Sequence, residues 1–157
     1  MGIKEVREYF RAMGMEERIM ELEASTATVP EAAAAHGVQP GQIGKTLSFK
    51  VDDVPILIVV AGDVKVANAK YKAFFSKKAK MLSADEVLEY TGHAVGGVCP
   101  FGLPGGLNVY LDVSLKRFDE VIPAAGSHNS SIRLSIVELE RYSGFREWVD
   151  VCRTLAG

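Results

Sequence analysis

The chain has 157 residues, with 18 Lys and Arg against 20 Asp and Glu, for a formal net charge of −2. That balance argues against binding nucleic acid indiscriminately through bulk charge, and 48% hydrophobic residues against 24% charged ones argue against disorder. The longest apolar run, Val54 to Gly62, is the length of a strand and far short of a membrane span.

The length suits one domain over 1–157 with a core of ordinary size. Lys4, Glu5, Arg7 and Glu8 leave no apolar signal region near the start, and Cys99 and Cys152 are too few for a disulfide framework. These features lead to the expectation of a cytoplasmic protein with free thiols and no membrane contact.

In chain order, Ile3, Val6, Phe10 and Met13 fall at helical spacing, and Gly14 ends that helix. Glu16 to Leu22 reads as a second short helix. Thr28-Val-Pro-Glu31 is a capping box with proline in the first turn, so Ala32 to Ala35 is helical up to His36-Gly37. Gln39 to Gly44 is a turn. Lys45 to Val51 then alternates, placing Lys45 on the same side as Leu47, Phe49 and Val51. Asp52-Asp53 turns the chain into Val54 to Val60, a nearly all-apolar strand expected at the centre of a sheet.

Asp63 to Ser76 reads as a helix. Ser83-Ala-Asp-Glu86 is a second capping box, opening a helix that Gly92 ends. Ala94-Val95 and Leu107 to Val113 read as strands, Ser114 to Phe118 as a turn, and Glu120 to Ala125 as a strand in which Pro123 suggests an edge or a bulge. Gly126 to Ser130 is a turn, Ser131 to Ser135 a strand, Ile136 to Tyr142 a helix, and Glu147 to Cys152 a last strand. The sum is an α+β fold: a curved, mixed, mostly antiparallel sheet surrounded by helices.

Three places carry chemistry. His93 to Gly106 holds five of the fifteen glycines and two of the six prolines. Such a loop, stiffened at Pro100, can point backbone N–H groups at an oxyanion, or it can be a plain connection. Within it lie Gly96, Gly97, Val98, Cys99 and Pro100. A working Cys99 thiolate needs a base beside it, and no histidine is placed there by the sequence, so a small loop filler is the competing reading.

Lys45, following Gly44 and sharing the inward parity of Leu47, can reach a cleft rim and offer its charge to a carbonyl or phosphate oxygen. Ser127, His128 and Asn129 lie in a turn and can serve either as surface residues or as donors and acceptors for a ligand. Three scattered histidines without spaced partners give no metal site, and no nucleotide-fold or nucleophile-elbow pattern occurs. Lys65, Lys70, Lys72, Lys77, Lys78 and Lys80 form either a solvated face or a phosphate contact.

Three blocks resemble one family. Ala32 to Leu47, with Lys45-Thr46-Leu47, is similar to the helix, turn and lysine strand of the YbaK and prolyl-tRNA-synthetase editing domains. Val95 to Gly102 is similar to their Gly-x-x-Pro loop, and Ala124 to Ser135 to their last block. The resemblance spans roughly Ala24 to Tyr142. It implies a trans-acting deacylase that hydrolyses the ester of a mischarged aminoacyl-tRNA, of the Cys-tRNA(Pro) or Ala-tRNA(Pro) type. Its partners would be that tRNA and an aminoacyl-tRNA synthetase.

On this resemblance Lys45 holds the 3′-terminal adenosine end, and the Gly97 to Pro100 backbone lies against the ester carbonyl. Thr46, Gly96, Val98, Cys99, Pro100, Ser127, His128 and Asn129 surround the substrate. Groups of the substrate itself replace an enzyme nucleophile, and neither cofactor nor metal is needed. Two rival readings remain: a non-catalytic module of the same fold that binds tRNA or a synthetase, and a Cys99-dependent thiol hydrolase.

Overall fold

The computed structural model describes residues 2–155. Its centre is the apolar strand expected there. β3 (Val54–Ala61) has Leu57, Ile58, Val59, Val60 and Ala61 wholly buried, and it lies between β2 (Ile43–Val51) and β5 (Asn108–Asp112). The β2–β3 hairpin is paired from Gly44↔Ala61 to Val51↔Val54. Asp52 (φ 48°) and Asp53 (φ 65°) supply the two left-handed residues that such a tight turn requires.

The main sheet continues with β6 (Glu120–Pro123), β8 (Leu134–Ser135) and β9 (Glu147–Val149), in the order β8-β6-β2-β3-β5-β9. The pairings β2–β6, β3–β5 and β5–β9 are parallel. Those of β2–β3 and β6–β8 are antiparallel, as are two small sheets, β1 (Ile19–Glu21) with β7 (Ser130–Ile132) and β4 (Val64–Val66) with β10 (Cys152–Thr154). Four of these seven pairings are therefore antiparallel, and the sheet is mixed and curled.

Among the described residues five α-helices flank it: α1 (Ile3–Arg11), α2 (Val29–His36), α3 (Asn68–Phe75), α4 (Ala84–Thr91) and α5 (Ile136–Ser143). Among the described residues no helix is long and apolar enough to cross a membrane.

The Thr28 hydroxyl accepts from the Glu31 amide, but the Glu31 carboxylate accepts from the Thr28 and Ser25 hydroxyls, so the box expected there is only half formed. Ser83 and Glu86 form a reciprocal box, and Gly37 and Gly92 close their helices in the left-handed region. A second reciprocal box, at Ser135 and Glu138, opens α5.

Several expectations fail where pairing overrides local pattern. Glu16 to Leu22 is one 3₁₀ turn, Glu16–Arg18, followed by β1, because Ile19 to Glu21 pair with Ser130 to Ile132. The helix expected from Asp63 begins only at Asn68: Val64-Lys65-Val66 alternates and is taken up by Cys152 to Thr154. Ala94-Val95 is not a strand; the Ala94 carbonyl accepts from the Gly97 amide in a turn that leaves Val95 67% exposed. Ser131 to Ser135 and Glu147 to Cys152 each divide between two sheets. Pro123 stands beyond the reach of β8, which pairs only with Glu120 and Val121, so its missing N–H costs no ladder bond to β8.

Arg18 and Glu138 tie the first part of the chain to α5. The Arg18 guanidinium donates to the Glu138 carboxylate and to the Arg133 carbonyl, the latter at 2.8 Å. Arg18, together with the Ser135 cap, lowers the Glu138 carboxyl from 4.5 to about 2. A depressed folded-state value means stability present above about 4.5 and lost as pH falls through about 2. In denaturant unfolding, Glu138→Gln is expected to be less stable than the wild type at neutral pH. The gap between the two should close across that acid window.

Candidate functional site

β2 has β3 along the whole of one edge from Gly44 to Val51, but its other edge is covered only at the ends. β6 pairs with Ile43 and Gly44. Residues 80–82 pair further along: the Lys50 amide donates to the Lys80 carbonyl at 2.9 Å and the Leu82 amide to the Ser48 carbonyl at 3.1 Å. No strand covers Lys45, Thr46 and Leu47 between them. Ladder groups alternate in direction, so Thr46, two residues from Ser48, turns its amide and carbonyl to this open edge. The Thr46 hydroxyl is buried and has no hydrogen-bond partner among the described residues.

A cavity of ≈ 220 Å³ occupies the gap. β2 lines it from Ile43 to Ser48, α2 and its approach from Thr26 to Val29 and at Ala32, and Val95, Gly96 and Val98 line it from the glycine loop. Leu82, Val87, Ile122 and Ser131 complete walls that are mostly apolar. Lys45, Thr46, Gly96 and Val98 thus meet around one space, although some fifty residues separate strand from loop.

Lys45 is half-buried, and its Nζ donates to the Val64 carbonyl at 2.9 Å. That carbonyl lies two residues past Gly62, which abuts Val29 of the cavity wall. Burial lowers the Lys45 pKa, while the Cys152 and Asp63 side chains act in the opposite direction. One hydrogen bond leaves an ammonium with two further donors.

The glycine loop is held by close backbone packing. A Cβ on Gly97 would lie 2.6 Å from the Ser127 nitrogen, and one on Gly96 (φ 98°) would lie 3.2 Å from the Ala27 Cβ. The Gly97 amide donates to the Ala94 carbonyl and its carbonyl accepts from Gly126, both at 3.0 Å. Gly97 therefore has no free N–H to offer an oxyanion, contrary to the expectation for it. The amides of Gly96 and Val98 make no hydrogen bond among the described residues.

The remaining expected site residues stand behind the wall. Pro100 is buried and outside the lining. Cys99 is 0% exposed, and burial pushes its thiol up to about 12. His93 does lie beside it, with Nε2 3.5 Å from Sγ. That nitrogen is also 2.7 Å from the Phe101 carbonyl, which can only accept, so Nε2 carries a proton and cannot take one from the thiol. This geometry removes the thiol-hydrolase reading.

Ser127, His128 and Asn129 do not line the cavity; they fasten its wall. The His128 carbonyl accepts from the Thr26 amide at 2.6 Å, Asn129 exchanges main-chain and side-chain bonds with Leu22, and the Ser127 hydroxyl stays within its own turn on Asn129 and Ser130.

The sequence reading missed Thr26, Ser48 and Ser131 as lining residues. Thr28 was visible only as a cap. Ser131, whose Oγ lies 2.7 Å from Nε2 of His36, carried no local signal because its partner is 95 residues away. Among the described residues no group of His, Cys, Asp and Glu could hold a metal ion.

Residues 23–142 match the model of the aminoacyl-tRNA editing domain, and the chain belongs to that family. It is 51% identical to YwhH of Bacillus subtilis (strain 168), described as an uncharacterized protein, over 98% of both chains. It is 30% identical to the proline–tRNA ligase of Bacillus licheniformis, with the match covering 74% of this chain and 20% of the ligase. Among solved structures, one of a protein proposed to be a trans-editing enzyme for prolyl tRNA synthetase superimposes with a TM-score of 0.86 at 32% identity over 96% of each chain. The hypothetical protein APE2540 does so with a TM-score of 0.83 at 31% identity, over 95% of this chain and 99% of that one.

Two expected outcomes test the packing of the site. Gly97→Ala should destabilise by about 1–3 kcal/mol through overpacking against Ser127, whereas Gly105→Ala, with nothing within 4 Å, should be neutral in the same unfolding measurement. Native protein should resist iodoacetamide at Cys99 near neutral pH and react after unfolding; rapid native labelling would contradict the buried thiol.

Proposed function

We propose that this protein is a trans-acting deacylase that hydrolyses the ester of a mischarged aminoacyl-tRNA, of the Cys-tRNA(Pro) or Ala-tRNA(Pro) type. The observation that carries this reading is the interrupted edge of β2, where Lys45, Thr46 and the glycine loop border one small cavity, in a chain of the editing-domain family. Its ≈ 220 Å³ lies below the roughly 300–1,000 Å³ of pockets that enclose a whole ligand. It suits the aminoacyl end, with the nucleotide outside.

In this reading the Thr46 carbonyl receives the α-ammonium, as an absent strand would have supplied an N–H. The Thr46 hydroxyl takes a polar group of the aminoacyl moiety. The amides of Gly96 and Val98 meet the ester oxygen as negative charge develops on it. Lys45 turns its unused donors toward the ribose or phosphate of the terminal nucleotide and fixes the ester for attack. Attack comes from water or from a hydroxyl or thiol of the substrate. The synthetase and the tRNA are the expected partners, and their meeting place is the cytoplasm.

The direct test is release of amino acid from a panel of mischarged tRNAs. Lys45→Ala should lose on the order of 10²-fold in rate with the fold retained, and Cys99→Ala should keep substantial activity. Unchanged turnover in Lys45→Ala would remove the lysine from the mechanism. Retention of tRNA without release of any amino acid would favour a non-catalytic binding module.

A further inference from the structure

Beyond the cavity, the same sheet edge carries charge. β2 runs on from Ser48 to Lys50 and the Asp52-Asp53 turn, and the segment paired with it runs back from Leu82 through Met81 to Lys80. Lys50, Lys77, Lys78 and Lys80, with Asp52 and Asp53, border a shallow depression of ≈ 360 Å³. The two hollows are therefore neighbours on one edge, joined by the Ser48–Leu82 and Lys50–Lys80 hydrogen bonds. Thr46 and Lys50 are about 13 Å apart along β2 at ~3.3 Å per residue.

The lysines differ in availability. Lys50 is paired with Glu86, and Lys77 lies 3.4 Å from Asp52. Lys78 and Lys80 are exposed and have no carboxylate partner among the described residues. Two exposed apolar side chains line the neighbouring cavity, Met81 at 64%, next in sequence to Lys80, and Val95 at 67% exposure. Among the described residues no large apolar side chain is more exposed than these two, and an occupant with a flat apolar part and a negative one would cover them and meet the neighbouring lysines.

We propose that this edge is a track for a single-stranded RNA 3′ end. The terminal base lies over Met81 and Val95, and the phosphates of the preceding nucleotides lie along Lys80 and Lys78. An unstacked nucleotide offers the apolar face and the adjoining anion that the two kinds of side chain call for. The Asp52-Asp53 tip repels phosphate and marks where the strand leaves the surface. The polarity of the track, with the terminal base at the cavity, rests on the deacylase reading; the assignment of the lysines to RNA does not.

Binding of a fluorescent single-stranded RNA ending in CCA tests it, by anisotropy at salt concentrations between about 50 and about 200 mM. Lys78→Glu with Lys80→Glu should weaken binding at least about tenfold and flatten the log–log salt slope by about 1.4, at ~0.7 for each phosphate that is no longer neutralised. Lys78→Gln with Lys80→Gln should give a smaller loss in the same direction. Lys65→Glu, the same change of sign on β4, should alter neither quantity.

Hydrolysis of a 3′-aminoacyl-adenosine, which lacks those phosphates, should be untouched by the double charge reversal, while kcat/KM on the whole aminoacyl-tRNA falls. Unchanged affinity and slope in the double variant overturn the track, and so does equal weakening by Lys65→Glu. Wild-type protein that binds the RNA in this lysine-dependent way but deacylates nothing sinks the deacylase reading and upholds the track.

Discussion

The structure turns on a strand that is paired fully on one side and only at its two ends on the other. β6 leaves β2 after Gly44, where its register residue Pro123 has no amide to donate, and residues 80–82 leave it after Ser48 to enter the capped helix α4. Buried backbone polar groups are almost always satisfied, so an open stretch of ladder in the middle of a sheet must face water or a ligand. The cavity is that stretch. Its position is fixed by where two neighbours stop, which is why Thr46 rather than another residue of β2 stands in it.

The walls around this opening are held by main chain more than by side chains. Gly97 packs against the Ser127 backbone at a distance no Cβ permits, and His128 and Asn129 use their own backbone to hold Thr26 and Leu22. Thr28 caps α2 so that the start of that helix reaches the cavity rim. Cys99 and His93 belong to the same scaffold: the ring nitrogen and the thiol converge on the Phe101 carbonyl and pin the loop from beneath. Residues that look reactive in a sequence are here used to stiffen the loop.

In the proposed deacylase reading such a site would work by placing dipoles, not by supplying a nucleophile. Fixed amides and a positioned ammonium cost no reorganisation as charge develops on a carbonyl oxygen, and an apolar surround strengthens them. Lys45 combines both pressures: burial acts against its charge while Asp63, itself paired with Arg117, acts for it. An incoming anion would act on the same side as Asp63. On the proposed track, the net charge of −2 and the short lysine-rich edge would confine attraction to one strip.

The sequence by itself determined whatever depends on neighbours a few residues away. The caps at Thr28 and Ser83, the Asp52-Asp53 turn, the buried run of β3 and the parity of Lys45 with Leu47 are all short-range facts, and the motif blocks carry the family. It could not decide between helix and strand for Ile19 to Glu21 or Val64 to Val66, because their partners lie more than eighty residues away in β7 and β10. Nor could it distinguish a lining residue from one behind the wall. Whether Gly97, Cys99 or His128 meets a ligand depends on which way each group points after the loop has packed on the 126–127 turn. That direction is set by contacts between distant segments, and only the folded chain contains them.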